Sequence, residues 1–228
     1  MMIPELLAAC QRYRILAAPP AASDVLWNEK TRTIALSNSW GPAVPYPPVP
    51  HEDGRQNHGY LLLKGNPEAV NHIPEADGWP ELQDFLKVIN AAQCPIESVG
   101  CEIAYFPVKE AAANGIAVRL GSYIDVIFTE SSLNDDMENA LLLASNLVQA
   151  AKQCECWWSS LDIEIQRLRY LAGTVAPWGL MMRVIGHGRD EEEARKLWAE
   201  TISRLAKAVA ALPQDFRWHK PKGSEAVA

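Results

Sequence analysis

Three side chains able to do chemistry stand on one side of the run Leu161-Asp162-Ile163-Glu164-Ile165-Gln166. Alternation of this kind marks a half-buried strand, with Leu161, Ile163 and Ile165 inward and Asp162, Glu164 and Gln166 outward. Two carboxylates on one strand face are half of a metal-dependent nuclease site. Such a site also needs a separate upstream acid and a lysine to help activate water. Here Gln166 takes the lysine's place and the two acids stand too close together. The run is therefore read as the wet face of a strand, and its carboxylates as groups that meet a partner.

The other candidates for chemistry are weaker. His51, His58 and His72 lie in or near a proline-rich segment, with Glu52, Asp53 and Glu75 close in sequence. Together they offer the enzyme alternative, a metal-dependent hydrolase with a dispersed site. No two of these histidines are spaced to share a helix face, so scattered solvent-facing side chains are the preferred reading. Cys154-Glu155-Cys156 has one residue between its thiols and no second pair at zinc-finger spacing. Gly186-His187-Gly188 falls between an expected strand and a helix N-terminus, where backbone amides can hold an anion. A turn that needs permissive glycines, with an exposed histidine between them, is the preferred reading. The chain carries no G-x-x-x-x-G-K-[ST], no G-x-G-x-x-G and no G-x-S-x-G. The expectation is a protein without catalytic residues, metal or cofactor.

The elements that would position these residues follow from periodicity. A first helix is expected over Pro4–Leu16, with Leu6, Leu7, Cys10 and Tyr13 on one face. Short strands are expected at Val25–Trp27 and Thr33–Leu36. The segment from Gly41 to Gly59, with five prolines between Pro42 and Pro50, reads as a long surface loop. A ligand for an aromatic groove is the second reading of its prolines. Tyr60–Lys64 reads as a strand, and Trp79-Pro80-Glu81 opens a helix whose Leu82, Phe85, Leu86 and Ile89 share a face.

Strands over Ile96–Phe106 and Ile116–Phe128 are joined at Asn114-Gly115, and Asp135 with Glu138 caps a helix through about Lys152. The sequence then repeats this order. A strand from Trp157 to Leu171 turns at Pro177-Trp178-Gly179 into Leu180–Ile185, and Asp190 with Glu193 caps a last helix ending at Pro213. Two strand–strand–helix units after a partial one predict an α+β fold, mainly an antiparallel sheet with helices packed on one face. One domain over 1–228 is expected, with a polar tail at about 219–228.

Composition narrows the class of function. Of 228 residues, 28 are acidic and 21 basic, a net charge of -7. A field of that sign disfavours direct binding to nucleic acid or an anionic membrane and suits a cationic partner. The most apolar helical stretch is broken by Ser145 and Asn146 and is too short to cross a bilayer. Five cysteines at irregular spacing, behind an N-terminus without a basic region and a sustained apolar core, predict free thiols and a cytoplasmic location. Among eight tryptophans, Trp79 and Trp198 suit structural roles. Trp40 and Trp178 fall at expected loop or turn positions, where an amphipathic ring can anchor an interface.

One N-terminal helix, the Trp- and Pro-containing run Ser39-Trp40-Gly41-Pro42, and strand–strand–helix units with Trp178-Gly179 in a hairpin resemble the immunity protein 52 family of bacterial polymorphic-toxin systems. The resemblance extends over most of the chain. It implies a protein that neutralises a cognate nuclease toxin, of the kind delivered by type VI secretion, in the cytoplasm of the producing cell. The partner-binding residues expected are Asp162 and Glu164, then Glu52 and Asp53 of the proline-rich loop, with Trp40 and Trp178 as anchors. A structural protein that self-associates through its tryptophans is the remaining alternative.

Overall fold

Alternating strands bury their apolar side only if something covers it, and among the described residues three helices lie side by side over one face of a six-stranded sheet. The computed structural model describes residues 25–29, 32–50, 56–108, 115–151, 159–170 and 177–212. The first hairpin pairs β1 (Val25–Glu29) with β2 (Arg32–Val44), and a two-residue pair, β3 (Val49–Pro50) with β4 (Gln56–Asn57), follows. After two 3-10 turns, Pro67–His72 and Pro74–Ala76, come α1 (Pro80–Ile89), β5 (Ile96–Pro107) and β6 (Val118–Phe128). A 3-10 turn at Ser131–Asp135 leads to α2 (Met137–Ala150), then β7 (Ser159–Tyr170), β8 (Trp178–Gly188) and α3 (Glu191–Ala210).

The sheet order is β1-β2-β7-β8-β6-β5. Every neighbouring pair is antiparallel except β2 with β7. The expected α+β architecture is present, and the hairpins β5–β6 and β7–β8, each followed by a helix, are its two complete units. They meet through β6 and β8, so α2 carries the chain from β6 across to β7 on the far side of β8.

The main core lies between sheet and helices. Ile34, Leu120, Ile124, Leu161, Ile163, Ile165, Met182 and Val184 meet Leu82, Phe85, Leu147, Trp198 and Ile202, all nearly inaccessible. Buried polar groups fix the layers. Trp198 Nε1 donates to Ser122 Oγ at 2.9 Å, Thr201 Oγ1 to Ser159 Oγ at 2.9 Å, and Arg32 Nη1 to the Val148 carbonyl near the end of α2 at 2.7 Å. Each closes a group that would be costly to bury alone.

Several expectations are corrected. β2 runs on to Val44, so Trp40 and Gly41 belong to a strand, and the proline-rich segment is shorter than the expected 41–59 loop. Trp178 and Gly179 likewise open β8. Tyr60–Lys64 is irregular: Leu63 enters the core while Leu61 and Leu62 stay exposed. The cap of α2 is Asp136, which accepts from Glu138 N at 2.8 Å, because Asp135 is consumed by the preceding 3-10 turn. Asp190 caps α3 as expected, accepting from Glu193 N at 2.8 Å. The expected first helix and the polar tail lie outside the described residues.

Candidate functional site

Alternation that sends Leu161, Ile163 and Ile165 under the helices sends Asp162, Glu164 and Gln166 to the opposite face. No helix covers that face among the described residues. Asp162 and Glu164 are half-buried there beside Arg183 of β8, which pairs in register with Asp162. Arg183 Nη2 lies 3.0 Å from Glu164 Oε2. Tyr123, Met181, Ile185 and His187 share the surface, by alternation along β6 and β8. Gln166 departs from the expected wet face, being only 2% exposed.

The two tryptophans are elsewhere. Trp40, Arg167 and Trp178 stand in one row across β2, β7 and β8. The Arg167 guanidinium lies 4.3 Å from the Trp178 ring centroid, and that of Arg169 lies 5.8 Å from Trp40. By alternation with Leu180 and Met182, Trp178 belongs to the helix-covered side. The structure thus brings Asp162 together with Glu164, and Trp40 together with Trp178, as two separate groups. Glu52 and Asp53 lie outside the described residues.

Gln166 is buried because it serves a second carboxylate that sequence reasoning missed. Its Nε2 donates to Asp125 Oδ1 at 2.7 Å, and Asp125 is 3% exposed. Burial raises the Asp125 carboxyl to about 7, against the lowering effect of the Gln166 hydrogen bond and of Arg183. Glycines leave the space for this pair. A Cβ on Gly41 would lie 2.8 Å from Gln166 Cδ, and one on Gly100 would lie 3.3 Å from Asp125 Oδ2 and 3.4 Å from the Tyr46 hydroxyl. A signal was present in the sequence, since Asp125 is the lone charge in Tyr123-Ile-Asp-Val-Ile-Phe128. An acid inside an apolar strand is buried or paired.

Tyr46 belongs to the proline-rich segment, which folds back over this end of the sheet. Val44, Val99, Ile127 and Leu168 form a small second core beneath it, with Tyr60 packed against them. Tyr60 N donates to the Tyr46 carbonyl at 3.0 Å. A cleft of about 200 Å³ opens between this segment, the 3-10 turns and the edge strand β5, lined by Tyr46, His58, Tyr60, His72, Glu75 and Cys101 among others. Burial, then the Glu75, Asp125 and Glu102 carboxylates, push the Cys101 thiol up to about 12. It stays protonated and is a poor nucleophile. Burial, then Cys101, Glu75 and Asp125, raise the Tyr46 hydroxyl above its ordinary range.

No family model, curated protein or solved structure matches the chain.

The remaining candidates disperse. His58 and His72 are exposed, His51 lies outside the described residues, and no three His, Cys, Asp or Glu side chains among the described residues are placed to hold a metal ion. Cys94 and Cys101 are free thiols, while Cys10, Cys154 and Cys156 lie outside the described residues. Gly186 and Gly188 stand within β8 rather than in a turn, and His187 between them points to the helix-free face by alternation. Its Nδ1 is buried without a hydrogen-bond partner among the described residues, and burial, then Arg119, lower its pKa while Asp162 opposes them.

Proposed function

We propose that this chain is an immunity-type binding protein, which neutralises a cognate nuclease toxin by laying the helix-free face of its sheet against the toxin's basic active surface. The observation that carries this reading is the pair of half-buried carboxylates, Asp162 and Glu164, on a sheet face that no helix covers among the described residues, with Glu164 held there by Arg183. A fixed carboxylate on a regular strand is preorganised, so it loses little side-chain freedom when a partner arrives. Nuclease surfaces are basic because they hold phosphates, and a protein of net charge -7 is drawn to them. In this reading the chain performs no chemistry, acts in the cytoplasm of the producing cell, and touches neither nucleic acid nor membrane.

The test is protection. Co-expression with the toxin encoded beside it should restore growth, and the two purified proteins should elute together. The double variant Asp162→Asn with Glu164→Gln should associate more slowly while unfolding at the same denaturant midpoint. Cells that die from that toxin despite abundant wild-type protein would sink the proposal.

A further inference from the structure

The cleft beside β5 has acids and aromatic rings in and behind its walls, and among the described residues its basic side chains are His58 and His72, with neither lysine nor arginine. The Tyr46 and Tyr60 rings meet edge-on in it, with centroids 6.2 Å apart and planes at 72°. Glu75, half-buried at its rim, receives one long contact, from His58 N at 3.5 Å. Behind Gly100, the Asp125 Oδ2 atom and the Tyr46 hydroxyl converge on the space that a Cβ would fill. Gln166 engages only the other oxygen of Asp125. The carboxylates that act on Tyr46 are Glu75 and Asp125, and Glu102 joins them at Cys101.

Among the described residues, no lysine or arginine of the lining balances Glu75. An anion is disfavoured by the Glu75 carboxylate in the lining. A metal ion is disfavoured because no three ligating side chains converge among the described residues. We propose that the cleft binds an alkylammonium or guanidinium group, held by the Glu75 carboxylate and by the faces of Tyr46 and Tyr60. A cation over aromatic rings is attracted by their quadrupoles, and a carboxylate adds charge-assisted hydrogen bonds. Leu61, Leu63 and Ile73 in the same lining receive the methylene stem that such a group carries. The volume, about 200 Å³, suits a side-chain-sized group better than a drug-sized ligand.

Two sources share this chemistry, a lysine or arginine side chain on a protein and a free polyamine. Purified protein is titrated with n-butylguanidinium, blocked arginine (Nα-acetyl-arginine-N-methylamide) and spermidine, with n-pentanol as the neutral control. The Tyr46 and Tyr60 ring resonances are followed by NMR. The expected result is a saturable shift with the cations and none with n-pentanol. Glu75→Gln should weaken binding about tenfold, equivalent to losing one charge-assisted contact, without moving the thermal midpoint. Tighter binding of blocked arginine assigns the cleft to a protein side chain, and tighter binding of spermidine to a free polyamine. No saturable shift from any cation, an equal response to n-pentanol, or an unchanged affinity in Glu75→Gln would overturn the proposal. The titrations use the free chain, so their outcome is separate from whether it neutralises a toxin.

Discussion

Asp125 holds its proton more tightly in the folded chain than in the unfolded one, because burial raises its carboxyl from 3.8 to about 7. An acid shifted in this direction opposes folding once the pH exceeds its unfolded value. The penalty is absent below about pH 4, grows as the pH rises towards 7, and is complete above that. Stability should therefore fall from pH 5 to pH 8 by an amount on the order of a few kcal/mol from this group. Asp125→Asn keeps a carbonyl for Gln166 and removes the charge. Urea unfolding should show the variant more stable than wild type at pH 8, with the gap narrowing at pH 5. A pH slope unchanged by the substitution would mean that Asp125 reaches solvent. At this scale Asp162 and Glu164 were legible by alternation, but Gln166 was misplaced. Alternation assigns a face, and only the segment folded over that face decides which of its residues stays wet.

Among the elements, the packing of α3 on β8 rests on the absence of side chains. A Cβ on Gly186 would lie 2.2 Å from the Ala194 carbonyl oxygen and 2.6 Å from Trp198 N, both backbone atoms of α3. Backbone cannot rotate away as a flexible side chain can. Gly186→Ala should therefore push the helix off the strand, loosen the Trp198–Ser122 hydrogen bond and cost about 1–3 kcal/mol or more, as overpacking does. The denaturant midpoint measures it, and a midpoint equal to wild type would show that α3 does not sit where described. The sequence reading assigned these glycines to a turn. The helix itself was legible, from its Asp190 cap and from the stripe Ala194, Trp198, Thr201, Ile202, Leu205 and Val209, all buried. The close approach was not, because the distance between two backbones is set by how helix and sheet cross.

At the scale of the whole molecule, association with a basic partner would be steered by the net charge of -7. Steering between exposed charges is screened beyond a Debye length of ~10 Å at 0.1 M salt. Stopped-flow association with the toxin should slow as salt rises, while the dissociation rate changes less. An association rate indifferent to salt would remove the electrostatic mechanism and leave the binding reading to stand on shape and apolar contact.

What the sequence determined by itself was local and periodic. The last two hairpins, the helices after them, the buried stripe of α1 and the cap of α3 all follow from spacing within a few residues. Their assembly was decided in three dimensions. The parallel seating of β2 against β7, the placing of β8 between β6 and β7, and the meeting of Asp125 with Gln166 join residues far apart in the chain. So does the cleft, whose walls run from Tyr46 through Glu75 to Cys101. No periodicity encodes such contacts, because each depends on which surfaces the helices cover and on where the proline-rich segment comes to rest.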